Sequence, residues 1–159
     1  MIKVFEPSLT LSDKLSVIRT LFNNNISGTS PIIEEFETET AKIFNRKHGI
    51  AISNGSTALE IAFQLLDLKR GDEVILPSFT IISCLSAVLR TGATPIFSDV
   101  DSNTWNMDIT HIEKLLTPNT KAVLMVHTYG LAADATKIKD FCETNNLFLV
   151  EDAAEAHGQ

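Results

Sequence analysis

The feature that most constrains this chain is an alternation. From residue 50 onward, five short apolar runs, at 50–53, 73–76, 94–98, 121–126 and 147–151, are separated by segments of helical period at 57–68, 80–90, 108–116 and 134–145. Strands that read as continuous β-branched or Leu-rich runs are buried on both faces. Such runs alternating with helices predict an α/β fold, a mainly parallel sheet with helices on both faces. Ahead of this, Leu11, Leu15, Ile18 and Leu21 mark an amphipathic helix that Asn23-Asn24-Asn25 and Gly28 break. Ser30 followed by Pro31 signals a second helix, a hydroxyl to cap it and a proline at its first position. Ile32, Phe36, Ile43 and Phe44 are its expected buried stripe. At 159 residues the whole is about one domain, with residues 1–30 as an N-terminal helical segment.

Composition narrows the function. A net charge of -7 and a pI near 5.0 disfavour nucleic-acid and anionic-membrane surfaces, and the basic residues form no patch. No apolar stretch approaches the roughly 20 residues that cross a bilayer, and the N-terminus lacks a signal peptide's apolar core, so the cytoplasm is the expected location. Cys84 and Cys142 have neither CxxC spacing nor a neighbouring His, and read as reduced, buried filler rather than as metal ligands.

In a parallel sheet, ligands gather beyond the carboxyl ends of the strands. After the first run stands Ser53-Asn54-Gly55-Ser56-Thr57, opening into a helix. A glycine admits close backbone approach, helix-start N–H groups point outward, and the Ser56 and Thr57 hydroxyls stand beside them. That is one way to hold a phosphate; a plain capped helix uses the same residues. There is no GxGxxG and no GxxxxGK. After the third run, Asp99 and Asp101 form a DxD that resembles the nucleophile loop of haloacid-dehalogenase-like phosphatases, although Asn103 departs from that pattern and turn capping accounts for both acids. A calcium loop fails because Thr104 and Thr110 replace the glycine and glutamate it needs. After the fourth run comes His127-Thr128-Tyr129-Gly130, where a histidine serves either structure or catalysis. After the fifth comes Asp152. A carboxylate at the tip of so apolar a strand needs a cation or strong donor to offset its desolvation, unless it caps a helix starting at Ala153. A phosphate cradle and a buried acid together fit a cofactor with a phosphate arm and a ring nitrogen kept protonated, and pyridoxal 5'-phosphate is such a molecule.

The segments SNGSTALEIA, GDEVILPSFT, GATPIFSDVD followed by TWNMD, HTYG and VEDAAEAHG stand in the order and spacing of the DegT/StrS-type sugar aminotransferases, and from about Gly28 onward the chain resembles that family. The resemblance implies part of the large domain of the pyridoxal-phosphate-dependent aminotransferase fold type I, with residues 31–159 as its N-terminal part. EDAAEAHG looks most like the perosamine synthase branch, which aminates a nucleotide-linked 4-keto-6-deoxy sugar with glutamate; a sugar 3-dehydratase of the same family is the alternative. By resemblance, Gly55, Ser56 and Thr57 bind the cofactor phosphate, Asp152 pairs with the pyridine nitrogen, and Glu155 lies near the ring hydroxyl. Ile81 stands where relatives often stack an aromatic ring, and His127 and Tyr129 line the same cleft. The resemblance also implies a homodimer and a Schiff-base lysine some tens of residues beyond EDAA, past Gln159, without which this stretch is not expected to transaminate by itself.

Overall fold

The computed structural model describes residues 8–158, which form two compact units, one up to Ala51 and one from Ile52 onward. The first holds α1 (Leu11–Phe22) and α2 (Pro31–Ile43). A capping box starts α1: the Thr10 hydroxyl accepts from the Asp13 N–H at 3.2 Å, and the Asp13 carboxylate accepts from the Thr10 N–H at 2.8 Å. The Thr10 hydroxyl, followed by its N–H, holds the Asp13 carboxyl below the usual carboxylate range. At α2 the expectation of a capping hydroxyl fails. Ser30 is the N-cap residue, but its hydroxyl is buried with no hydrogen-bond partner among the described residues, and Pro31 alone sets the helix start. The expected buried stripe of α2 is also corrected. Phe36 and Ile43 are 58% and 74% exposed, because no surface within this unit covers that face.

The run at 50–53 is likewise not a strand. Gly49 runs so close to α2 that an added Cβ would lie 2.4 Å from the Glu37 carbonyl oxygen. The Ala51 N–H is then taken by the Glu37 carboxylate at 2.8 Å rather than by a neighbouring strand. A side-chain acceptor has replaced a ladder partner.

The second unit carries α3 (Gly55–Gln64), β1 (Glu73–Pro77), α4 (Ile82–Thr91), β2 (Thr94–Ser98), α5 (Ile109–Leu115), β3 (Thr120–Val126), α6 (Ala135–Thr144) and β4 (Phe148–Asp152). The strands pair in parallel in the order β2-β1-β3-β4. Pro95, which has no N–H to give the ladder, sits on the edge strand β2. Strand pleating sends alternate residues to opposite faces. Val74, Leu76, Leu124 and Val126 meet Leu59 and Phe63 of α3 and Cys84 and Val88 of α4 in one core. Ile75, Val123 and Met125 meet Ile112 of α5 and Ile138 and Cys142 of α6 in the other. Helices therefore cover both faces, and each fully buried aliphatic side chain contributes roughly 1.5–3 kcal/mol.

Connectivity locates the ligand end. From β1 the chain passes through α4 to β2 on one side, then returns through α5 to β3 on the other side of β1. The carboxyl ends of β1 and β3 thus flank a topological switch point, where open parallel sheets bind ligands. Register levels β3 with β4, Val126 opposite Asp152, so residues 127 and 153 leave the sheet side by side. No helix among the described residues is long and apolar enough to cross a membrane.

Candidate active site

A cleft of about 430 Å³ opens at this switch point. Phe79, Thr80 and Ile81 wall it after β1, His127, Thr128 and Tyr129 after β3, and Asp152, Ala154 and Glu155 after β4. Five residues expected from the sequence therefore share one cleft: Ile81, His127, Tyr129, Asp152 and Glu155.

Asp152 ends β4 with its side chain on the α3/α4 face, the parity of Val150. Its Oδ1 accepts from the Ala154 N–H at 3.1 Å, and the Cys84 thiol approaches Oδ2 at 3.5 Å. Glu151, one residue earlier, points to the opposite face and accepts from His127 Nε2 at 2.9 Å. The other ring nitrogen, Nδ1, accepts the Ala133 N–H at 2.9 Å, so the ring proton of neutral His127 lies on Nε2. His127 is only 4% exposed, and both its nitrogens are committed to the protein. Of the two roles left open for it, the structural one holds: it staples the turn after β3 to β4.

That turn is held at three further points. The Thr128 N–H donates to Asn106 Oδ1 at 2.9 Å, and the Asn106 amide donates to the Leu131 carbonyl at 2.8 Å. The Glu155 carboxylate accepts from the Tyr129 N–H at 2.8 Å. Tyr129 and Gly130 have φ of 52° and 82°, and a left-handed tyrosine costs about 1–2 kcal/mol, which the bond from Glu155 helps to offset. Above the turn, Phe79 meets the Tyr129 and Trp105 rings edge-on, with centroids 6.2 Å and 4.9 Å away. Ile81, 65% exposed, offers an apolar lip.

Gly55, Ser56 and Thr57 are not part of this lining. They open α3, whose Leu59 and Phe63 pack on the sheet face toward which Asp152 points. Of the outward helix-start N–H groups expected there, that of Thr57 is already taken, by Asn54 Oδ1 at 2.9 Å. Gly55 and Ser56 remain with outward N–H groups, and no atom lies within 4 Å of a Cβ added at Gly55, so its backbone is open to approach. This fits an anion held by two amides and the hydroxyls of Ser56 and Thr57. An acceptor carboxylate in the apolar cleft fits a cationic heterocyclic N–H. Both halves of a pyridoxal phosphate site have suitable donors and acceptors.

Asp99 and Asp101 take no part in the cleft. Asp99 accepts from the Val100 N–H at 2.9 Å. Asp101 accepts from Thr104 and Asn103 N–H groups at 2.8 Å and 2.9 Å, and these bonds, Thr104 first, hold its carboxyl below the usual range. They cap a turn, as the sequence allowed, and the phosphatase reading is not favoured. No group of three or more metal-ligating side chains occurs among the described residues.

The family model for DegT/DnrJ/EryC1/StrS aminotransferases matches residues 10–159. The chain belongs to this family. It is 41% identical over 157 residues to a GDP-perosamine synthase of Escherichia coli O157:H7, which covers 99% of this chain and 43% of that protein. An aminotransferase from Psychrobacter cryohalolentis superposes with a TM-score of 0.89 at 40% identity, over 96% of this chain and 39% of its own. The protein ntda from Bacillus subtilis, solved with bound cofactor PMP, superposes with a TM-score of 0.86 at 32% identity, over 94% of this chain and 35% of its own. The chain thus spans well under half the length of these relatives. Asp152, Glu155, Ile81, His127 and Tyr129 all reach the cleft, which the sequence led one to expect. Two neighbours were not expected there: Cys84, read as filler, abuts Asp152, and Phe79, which stands in the sequence only within the segment GDEVILPSFT, joins the lining.

Proposed function

We propose that this chain is the N-terminal, cofactor-binding part of a pyridoxal-phosphate-dependent sugar aminotransferase of the perosamine synthase type. The whole enzyme transfers an amino group from glutamate to C4 of a nucleotide-linked 4-keto-6-deoxy sugar, supplying amino sugar for polysaccharide. It acts in the cytoplasm as a homodimer. The observation that carries this reading is the Asp152 carboxylate, presented into a cleft at the switch point of a family-matched sheet.

Pyridoxal phosphate, when bound, would supply an electron sink to the carbon that gains or loses nitrogen. Asp152 would accept the ring N–H and keep that nitrogen protonated. Glu155, fixed by the Tyr129 N–H, holds its carboxylate toward the ring hydroxyl. Ile81 would give one ring face an apolar contact and help exclude water, while Gly55, Ser56 and Thr57 would bind the phosphate. His127 carries no proton in the reaction; it positions the β3 turn against β4. No lysine lines the described cleft, and we assign the covalent attachment to the part of the relatives' length that this chain does not span.

The test uses the full-length enzyme with pyridoxal phosphate, glutamate and a GDP-linked 4-keto-6-deoxy sugar. A visible absorbance band from bound cofactor, release of 2-oxoglutarate and an aminated sugar nucleotide by mass spectrometry are expected. A protein that takes up no pyridoxal phosphate sinks the proposal, and loss of C3 oxygen instead of amination at C4 makes it a 3-dehydratase.

A further inference from the structure

We infer that Cys84 is a positioning residue for Asp152: a neutral thiol that orients the carboxylate toward a heterocyclic N–H without neutralising it. The inference rests on the pyridoxal phosphate reading above and adds a residue to it.

Cys84 lies on the first turns of α4, at the carboxyl end of β1, and is fully buried. It sits between two polar groups of the cleft. The Thr80 hydroxyl donates to Sγ at 3.2 Å, and Sγ approaches Asp152 Oδ2 at 3.5 Å, within the longer reach of sulfur. With the Thr80 hydroxyl donating a hydrogen bond to the sulfur, the thiol's own hydrogen is left to point at the carboxylate, giving a one-way chain from Thr80 through Cys84 to Asp152. Ala154 N–H holds the other oxygen. Contacted at both oxygens, the carboxylate plane is restrained, while each oxygen keeps a second lone pair for a ligand.

The choice of sulfur matters chemically. Burial, more than the opposing Thr80 bond, pushes the thiol up to about 11, and the Asp152 charge pushes the same way, so it is a donor and not a second anion beside the acid. Lysine or arginine here would form an ion pair and compete with the ring N–H. A thiol is a weak donor, so it orients the carboxylate yet leaves its charge for the cofactor. Alanine would leave Oδ2 without this contact, and serine would have to reach further, because a C–O bond is shorter than a C–S bond.

The experiment uses the full-length enzyme and its Cys84→Ala, Cys84→Ser and Asp152→Asn variants. In cofactor-free protein, the infrared S–H band missing from Cys84→Ala is that of Cys84. It should move to higher frequency in Asp152→Asn, where the anionic acceptor is gone, and move again in wild type when pyridoxal phosphate is added. Cys84→Ala should bind the cofactor about 3–10-fold more weakly, the scale of one lost hydrogen bond, and Cys84→Ser should recover part of that loss. An S–H band indifferent to Asp152→Asn overturns the inference, as does wild-type cofactor affinity in Cys84→Ala. Were wild type to take up no cofactor, the functional reading would fail, and the band in cofactor-free protein would still decide whether Cys84 grips Asp152.

Discussion

Glu151 and Asp152 are adjacent carboxylates at the tip of one strand with opposite fates. The pleat turns Glu151 to the α5/α6 face, where it pairs with buried His127, and Asp152 to the α3/α4 face, where Cys84 and the Ala154 N–H hold it in the cleft. The same division applies to the residues around them. On the Glu151 side every polar atom of His127 is matched to protein; on the Asp152 side the carboxylate keeps lone pairs for something else. A one-residue step along a backbone of period two separates an acid that braces the cleft wall from an acid that faces the cleft.

The largest effect expected from breaking this division is on chemistry. Asp152→Asn in the full-length enzyme should lower kcat by on the order of 10²–10³-fold, the scale of losing a preorganised charge, with the folded state intact by circular dichroism. Near-wild-type turnover would remove Asp152 from its role. Next come the cores beneath the two faces. Leu124 and Met125, successive on β3 and fully buried on opposite sides, should each cost about 2–5 kcal/mol when replaced by alanine, read from urea unfolding.

The effect of His127→Ala should be smaller than these, modest on stability and minor on chemistry. Leaving the buried Ala133 N–H unpaired costs about 1–3 kcal/mol, whereas any loss of turnover should follow disorder of the β3 turn and be partly restored by His127→Gln. A collapse of kcat at unchanged stability would mean that His127 handles protons and that the two faces are not divided as described. The two thiols offer a gentler comparison, since Cys84 and Cys142 lie in opposite cores and are both pushed up to about 11 by burial from an ordinary 9.0. A thiol raised by folding stabilises the fold fully below its unfolded value and loses that contribution as pH climbs from about 9 toward about 11. Unfolding free energy should therefore decline over that window, with a shallower slope in Cys84→Ala and in Cys142→Ala; an unchanged slope in both refutes the burial account. Smallest of all, Asp101→Ala should trim thermal stability slightly through a lost turn cap and leave turnover unaltered.

Much of this could be read before any coordinates. Periodicity placed the four paired strands and the helices between them, because burial on both faces demands unbroken apolar runs. It erred at 50–53, which has a strand's composition but no ladder partner, since the Glu37 carboxylate takes the Ala51 N–H. It erred again at Phe36 and Ile43, whose helical spacing says which face is apolar but not whether anything covers it. At the α3 corner the motif disclosed donors but not that Asn54 would claim the Thr57 N–H, a competition settled by one side-chain rotamer.

By itself the sequence determined the order of strands and helices, the turn chemistry at their ends, and the placing of an acid just where an apolar strand meets the ligand end of the sheet, because these follow from local period and short-range hydrogen bonding; that this strand is a half-exposed edge strand was decided by the fold. Only the tertiary structure decided which residues meet. It put Cys84 against Asp152 across 68 positions of chain and tied the ring of His127, in the cleft wall, to Glu151 and the Ala133 N–H. Strand order and register bring such distant groups within hydrogen-bonding reach, and neither is written in any local pattern.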